Sequence, residues 1–161
     1  MPKPPRTLLA PLDPRRYAPT AERPVRAKAR HMDPDSEIQP HSHAWAQVAI
    51  SVAGVARITV GDSTCLVPAW RAVWIPPAVE HVVTVVEAAE LRTLYIHQEP
   101  GAIGPGVPPA QQEAWRQHRV LEVTPLLREL VLQMDVGMDG PEPPTPELLA
   151  RERLLGSVAL D

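Results

Sequence analysis

The sequence predicts a mainly β chain: a small β-barrel followed by two C-terminal α-helices and preceded by an extended N-terminal arm. Three observations predict it. Short apolar–polar alternations bounded by Gly, Pro or Asp recur roughly every 8–12 residues through the middle of the chain, the spacing of an all-β barrel or sandwich. After Thr124 the apolar period lengthens to that of a helix. Before Pro24 the chain is rich in Pro and Arg and has little period at all.

Taken in order, residues 1–24 read as the arm, 25–123 as the barrel and 124–161 as a helical dimerisation and linker segment. PVRAKARHM, from Pro24 to Met32, alternates so that Val25, Ala27, Ala29 and His31 share one face, expected to be the half-buried one. Strands follow at Gln47–Val52, Ala56–Val60, Thr64–Val67, Ala72–Ile75, His81–Val86 and Leu91–His97, with turns such as Gly61-Asp62 between them. Pro100–Pro109 is a loop by composition, Ala110–His118 a candidate short helix around Trp115, and Arg119–Val123 one more strand. Thr124-Pro125 offers an N-cap with proline at the first helical position, and Leu126, Leu127, Leu130, Val131 and Met134 recur at helical spacing. Residues 136–144 should break that helix. Thr145-Pro146 starts another, with Leu148, Leu149, Leu155 and Val158 near its apolar side and Gly156 a candidate end. The apolar pattern runs to Leu160 with no closing turn, so the natural chain is expected to continue.

Composition narrows the function. Cys65 is the single cysteine, which excludes an intrachain disulfide and a Cys-rich metal cluster; it reads as an inert buried thiol. No apolar run approaches the ~20 residues of a membrane-spanning helix, and no signal-peptide core is visible, so a cytoplasmic location is the default. The net charge of −3 is unevenly spread: residues 1–30 carry eight basic groups against Asp13 and Glu22. Such an arm either lies on an acidic body or touches phosphate-bearing ligands; the acidic body is itself a poor DNA surface.

The chemistry sits in His41-Ser42-His43 and in His81, some forty residues on. In a strand, alternate residues face one side, so His41 and His43 would project together with Cα atoms roughly 6.6 Å apart and converge on one metal ion. Gln47 would lie roughly 13 Å along a straight strand and can join them only if the chain bends between Ala44 and Ala46. His81 follows the turn Pro76-Pro77-Ala78, which delivers it to a barrel mouth; its neighbour Glu80 should face solvent. The alternative is that the three histidines line a pocket and hydrogen-bond an organic ligand or water. Trp45, Trp70 and Trp74 are candidate pocket-lining aromatics, with a core role as the alternative.

HSHAWAQVAISVAG resembles the first motif of the cupins, with His41, His43, position 47 and Gly54 at the required spacings, and WIPPAVEH resembles the second, with Pro76 and His81 in register. The chain departs from the pattern at Gln47, where metal cupins carry Glu, at Ala78, where the second motif has Gly, and at Val85, where an Asn is usual. The resemblance implies a cupin, jelly-roll-like barrel and a divalent metal on His41, His43, Gln47 and His81. Because an amide oxygen compensates no charge, that set suits zinc or nickel better than a hard ion.

Over residues 39–161 the order of segments is similar to the N-terminal half of AraC-type transcription regulators. That resemblance implies a non-enzymatic domain that senses a small-molecule effector and dimerises through its helices. DNA binding would belong to a C-terminal helix-turn-helix domain absent from this chain. The apolar stripe from Leu126 to Met134 independently suggests a homodimer, the alternative being that both helices fold back on the barrel. The rival is a stand-alone metal-dependent cupin enzyme, a dioxygenase or isomerase, which the missing Glu and the lack of an acid–base pair count against.

Overall fold

A computed structural model describes residues 1–2, 5–11, 14–134 and 145–160; the side chains of residues 14, 15, 148 and 158–160 lie outside the description. The positions Leu148 and Val158, the breaker at 136–144 and Asp161 therefore fall outside the described residues. Among those described, ten strands make two five-stranded sheets. The first runs β1 (Thr7–Leu9), β3 (Ser36–His41), β8 (His81–Val85), β5 (Ala56–Val60) and β6 (Ser63–Val67). The second runs β10 (Arg119–Glu122), β7 (Arg71–Ile75), β4 (Ala46–Ala53), β9 (Ala89–Ile96) and β2 (Val25–Met32). β1 pairs with β3 in parallel and all other pairs are antiparallel. The helices are α1 (Pro14–Tyr17), α2 (Pro125–Met134) and α3 (Pro146–Leu160), and Pro109–Trp115 is a 3-10 helix.

Two apolar cores flank the second sheet. Between the sheets lie Met32, Ile38, Ile58, Val73, Val83 and Leu91. On the outer face Val25, Val48, Ile50, Trp74, Leu94 and Ile96 meet Val131 and Met134 of α2. The central strand β4 is consequently buried on both faces from Ala46 to Ser51, which is why its sequence QVAIS reads as a continuous run rather than an alternation. Trp74 is fully buried in the outer core, where its Nε1 donates to the Trp115 carbonyl at 2.8 Å and its ring meets Trp115 edge-to-face at 5.2 Å.

Several expectations change in detail. The face of β2 turned to the barrel interior is that of Lys28, Arg30 and Met32, while Val25 and Ala27 pack outward under the helices. The helix around Trp115 is 3-10 rather than α and ends before His118. Gly156 does not end α3: it lets the helix approach β2 so closely that an added Cβ would lie 2.9 Å from the Val25 Cβ. The α2 stripe divides, with Val131 and Met134 buried on the barrel and Leu126 exposed. Residues 1–24 contribute the strand β1 and the short α1, and some of their charge is paired on the body, Arg6 with Glu37 and Arg23 with Glu152. Cys65 is half-buried and free, and Glu80 is exposed.

Two backbone positions fix the site's frame. Gly54 has φ +76°, and an added Cβ would sit 2.3 Å from the Ala88 carbonyl oxygen, so both conformation and space require glycine. Ala78 occupies the same left-handed region at φ 64°, a conformation that favours glycine; its N–H donates to the His43 carbonyl at 2.6 Å and ties the turn before His81 to the His41–His43 segment.

Candidate metal centre and ligand cavity

His41 is the last residue of β3 and His81 the first of β8, and the two stand opposite one another across the sheet. A register shift between Ile38 and His41 turns the end of β3, as bulges do where a side chain must be re-aimed. His43 is not on the strand with His41. It lies in the connection to β4, which bends at Ala44-Trp45. That bend is what brings Gln47, on the inward face of β4, to the same place.

The three histidines converge: their ligand nitrogens all lie within 4.8 Å of one another, and the His41 and His81 ring centroids are 4.3 Å apart. His41 Nδ1 donates to the Gln39 carbonyl at 2.8 Å and His81 Nδ1 donates to the Val79 carbonyl at 3.0 Å. With the Nδ1 proton so committed, each Nε2 presents a lone pair, the tautomer a metal ligand needs. His43 Nε2, His81 Nε2 and Gln47 Oε1 are all buried without a hydrogen-bond partner. Buried orphans of this kind carry a desolvation penalty that a bound ion or ligand relieves. These residues can hold a metal ion, and they fit one by convergence, tautomer and unsatisfied donors together.

Electrostatics agree with neutral ligands. Burial pushes the His43 pKa down to about 4, helped by His41 and His81 nearby, while Gln47 beside it offsets part of the effect without a hydrogen bond of ordinary geometry. Burial likewise lowers His81 to about 4, against the Val79 carbonyl and with His41 adding to the fall. His41 is lowered too, first by burial and then by Arg30, with the Gln39 carbonyl opposing. All three are therefore neutral at pH 7.

Beside the centre a small cavity of about 30 Å³, open toward solvent, lies between the sheets. Lys28 and Arg30 of β2, Gln47 and Ala49 of β4, and Leu91, Thr93 and Tyr95 of β9 form one wall, consecutive inward positions on paired strands. Ile38, His41 and Val83 form the other. Trp45 does stand at the site, stacked on His43 with centroids 5.0 Å apart and edge-on to Tyr95 at 5.9 Å. Trp70 and Trp74 do not line the cavity. Trp74 faces the outer core because its parity on β7 is opposite to that of Val73 and Ile75, and Trp70 sits at φ 63° with Arg128 over its ring at 4.0 Å.

Sequence reasoning missed Lys28, Arg30, Thr93 and Tyr95 as cavity residues. Parity places Lys28 and Arg30 on one face with Met32, but with apolar residues on both faces of β2 it does not say which face is the interior.

Residues 23–156 match the family model described as the AraC-like ligand binding domain. The HTH-type transcriptional regulator NimR of Escherichia coli (strain K12) is 33% identical over 105 residues, which cover 65% of this chain and 34% of that protein. The chain thus spans about a third of the length of this curated relative. Among solved structures, a cupin-2 domain protein of Shewanella frigidimarina is 22% identical with a TM-score of 0.43, over 50% of this chain and 76% of its own. Oxalate decarboxylase of Bacillus subtilis, a protein with Mn(II) centres, is 20% identical with a TM-score of 0.44, over 45% of this chain and 21% of its own. No helix among the described residues is long and apolar enough to cross a membrane.

Proposed function

This chain belongs to the AraC-like ligand binding domain family, and on that premise we propose that it is the sensing part of an AraC-type transcription regulator, binding a small-molecule effector in the barrel beside a divalent ion on His41, His43, His81 and Gln47. The observation that carries the reading is the set of buried, unpartnered ligand atoms at the end of a cavity open to solvent. Three imidazoles and an amide favour zinc or nickel. When bound, such an ion would supply Lewis-acid character toward an oxygen or nitrogen of the effector.

The chain's own residues do the rest. Gln39 and Val79 carbonyls hold the tautomers, Trp45 and Tyr95 wall His43, and Lys28 and Arg30 set the charge of the cavity. No carboxylate lines the cavity among the described residues, and neutral histidines with pKa values near 4 are poor proton acceptors at pH 7, so sensing is assigned rather than turnover. The signal would leave along β2 or the arm, since Arg30 also donates to the Ala10 carbonyl at 3.0 Å. Dimerisation through the helices and DNA contact through a further domain complete the proposal.

Metal analysis of purified protein and its thermal melts with added zinc or nickel test the centre. One equivalent of zinc or nickel, and stabilisation of about 2.7 kcal/mol at a hundredfold excess over the dissociation constant, are expected. An unchanged melt in wild type, or an equal shift in His81→Ala, would refute the metal assignment. Stoichiometric redox metal with turnover would favour the enzyme instead.

A further inference from the structure

The three histidines and Gln47 come from different layers of the barrel. His41 ends β3 and His81 begins β8, both in the first sheet, whereas Gln47 lies on β4, the central strand of the second. His43 stands on the connection from β3 to β4. Gln47 is 5% exposed, its Oε1 is buried without a hydrogen-bond partner, and its side chain is near enough to His43 to act on it. An ion held by all four residues would therefore join one sheet to the other at this end of the barrel.

Adjacent residues of a strand face opposite ways. Gln47 faces the cavity, so Ala46 and Val48 face the outer core, where they are buried with Val131 and Met134 of α2. β4 is bonded on one side to β7 and on the other to β9, with Gln47 opposite Ile75 and Tyr95. A strand held on both sides moves with its sheet, so what Gln47 binds bears on the surface that seats α2. The room beside the centre limits what can be sensed there. A space of about 30 Å³ admits a water, which needs roughly 10–15 Å³, and leaves no place for an organic body. An ion needs no such space, because the ligand nitrogens of the three histidines already lie within 4.8 Å of one another.

We infer that the divalent ion is itself the signal and that Gln47 transmits it, tying β4 to the histidines and so steadying the seat of α2. The inference rests on the metal centre proposed above and narrows what that site senses. Gln47 acts here as a positioning residue: the histidines hold the ion, and the amide carries its presence to the second sheet. A ligand shifts an equilibrium only by its differential affinity for the two states. Gln47 is the one of the four donors that the second sheet carries, so it supplies that difference.

The test is hydrogen exchange of the chelator-treated protein with and without zinc, binding being followed by calorimetric titration. At roughly a hundredfold excess over the dissociation constant, amides whose opening releases the ion slow by about a hundredfold, and those of β4 and α2 are expected among them. Gln47→Ala should bind zinc more weakly through the three histidines and show no slowing in α2 at the same excess over its own dissociation constant. The gain in global stability is then equal in both proteins and cancels from the comparison. Gln47→Glu should bind more tightly and restore the slowing. Exchange in wild type decides the matter even if Gln47→Ala fails to fold. Zinc binding that leaves α2 exchange unchanged in wild type would overturn the inference and leave the metal centre, with a separate effector, standing. Equal slowing of α2 in Gln47→Ala would overturn the role of Gln47. Absence of zinc binding to wild type would overturn both the inference and the metal centre.

Discussion

Lowering the pH should destabilise the metal-free domain through His43 and His81, and the size of the effect follows from their burial. Each has an ordinary pKa of 6.5 when unfolded and about 4 when folded. The sign is set by proton uptake: below 6.5 the unfolded chain binds protons that the folded chain refuses, so stability falls as pH falls, and the loss is complete only below about 4. At pH 5 the unfolded histidine is almost fully protonated and the folded one is not, a difference of about 2 kcal/mol per histidine. The two are mutually coupled and His43 is only half-buried, so the pair should contribute about 2–4 kcal/mol between pH 7.5 and 5, a large share of a stability of about 5–15 kcal/mol. His31 acts in the opposite sense, because Glu90 raises its pKa and stabilises the folded state as pH falls, but it is fully exposed and its pair is screened. Urea unfolding of chelator-treated protein at half-unit steps from pH 7.5 to 4.5 measures the slope, and His81→Gln should flatten it by about half. A wild-type stability independent of pH over that window, or a slope that His81→Gln leaves unchanged, would refute the assignment of these histidines as buried and neutral.

Glu152→Gln should destabilise the domain by about 2–4 kcal/mol in urea unfolding at pH 7.5, because it strips the partner from Arg23, whose Nη2 donates to Glu152 Oε2 at 2.7 Å with Glu152 6% exposed. Gly54→Ala should cost at least about 3 kcal/mol or prevent accumulation of folded protein, since strain at φ +76° adds to a 2.3 Å backbone collision; thermal melts of the purified variant decide it. Ala78→Gly should be neutral or stabilising by up to about 1 kcal/mol, relief of the left-handed alanine being partly offset by glycine's entropy; a loss above 1 kcal/mol would show that the turn is not strained. The proposed dimerisation through the helices predicts that wild type is a dimer by light scattering and that Leu126→Glu, at a residue 63% exposed on α2, is a monomer with the same melting temperature when dilute; a monomeric wild type would refute it.

How much of this was legible depended on whether a residue's role is local. The Pro76-Pro77 turn and Gly54 are short-range signals and each falls where its backbone chemistry requires, whereas His41 and His43 meet across a bend after β3 rather than as alternate residues of one strand. The alternations of β5, β6 and β8 likewise read through because the outer face of the first sheet is partly exposed and largely keeps the apolar-in, polar-out rule. That rule fails in the second sheet, whose outer face is covered by α2 and α3. There apolar residues belong on both faces, and parity no longer tells inside from outside. For this reason the sequence leaves Trp74 open between pocket and core and does not single out Lys28 and Arg30 as cavity residues. Gln47 depended on a bend that its flanking alanines allow and do not dictate; the Ala78–His43 hydrogen bond, a contact thirty-five positions apart in sequence, helps to fix the segment that leads into it.

The same double coverage gives β2 its part in the mechanism. Along eight residues this strand presents Lys28 and Arg30 to the cavity and Val25 and Ala27 to the outer core that includes α2 and α3. Arg23, two residues before it, holds Glu152 of α3, and Gly156 brings that helix onto Val25 at contact distance. β2 is also an edge strand, bonded only to β9 in its sheet, so it can shift without breaking a second ladder. A ligand that engages Arg30 therefore acts on the strand that seats α3. It also competes for a guanidinium bonded to the arm at Ala10. An effector that protects β2 amides from hydrogen exchange should also change exchange in α3 and residues 5–11, and Glu152→Gln should uncouple α3 while leaving ligand affinity within about threefold, a difference of only ~0.6 kcal/mol. Protection confined to the cavity strands would mean that the effector is bound but not transmitted by this route.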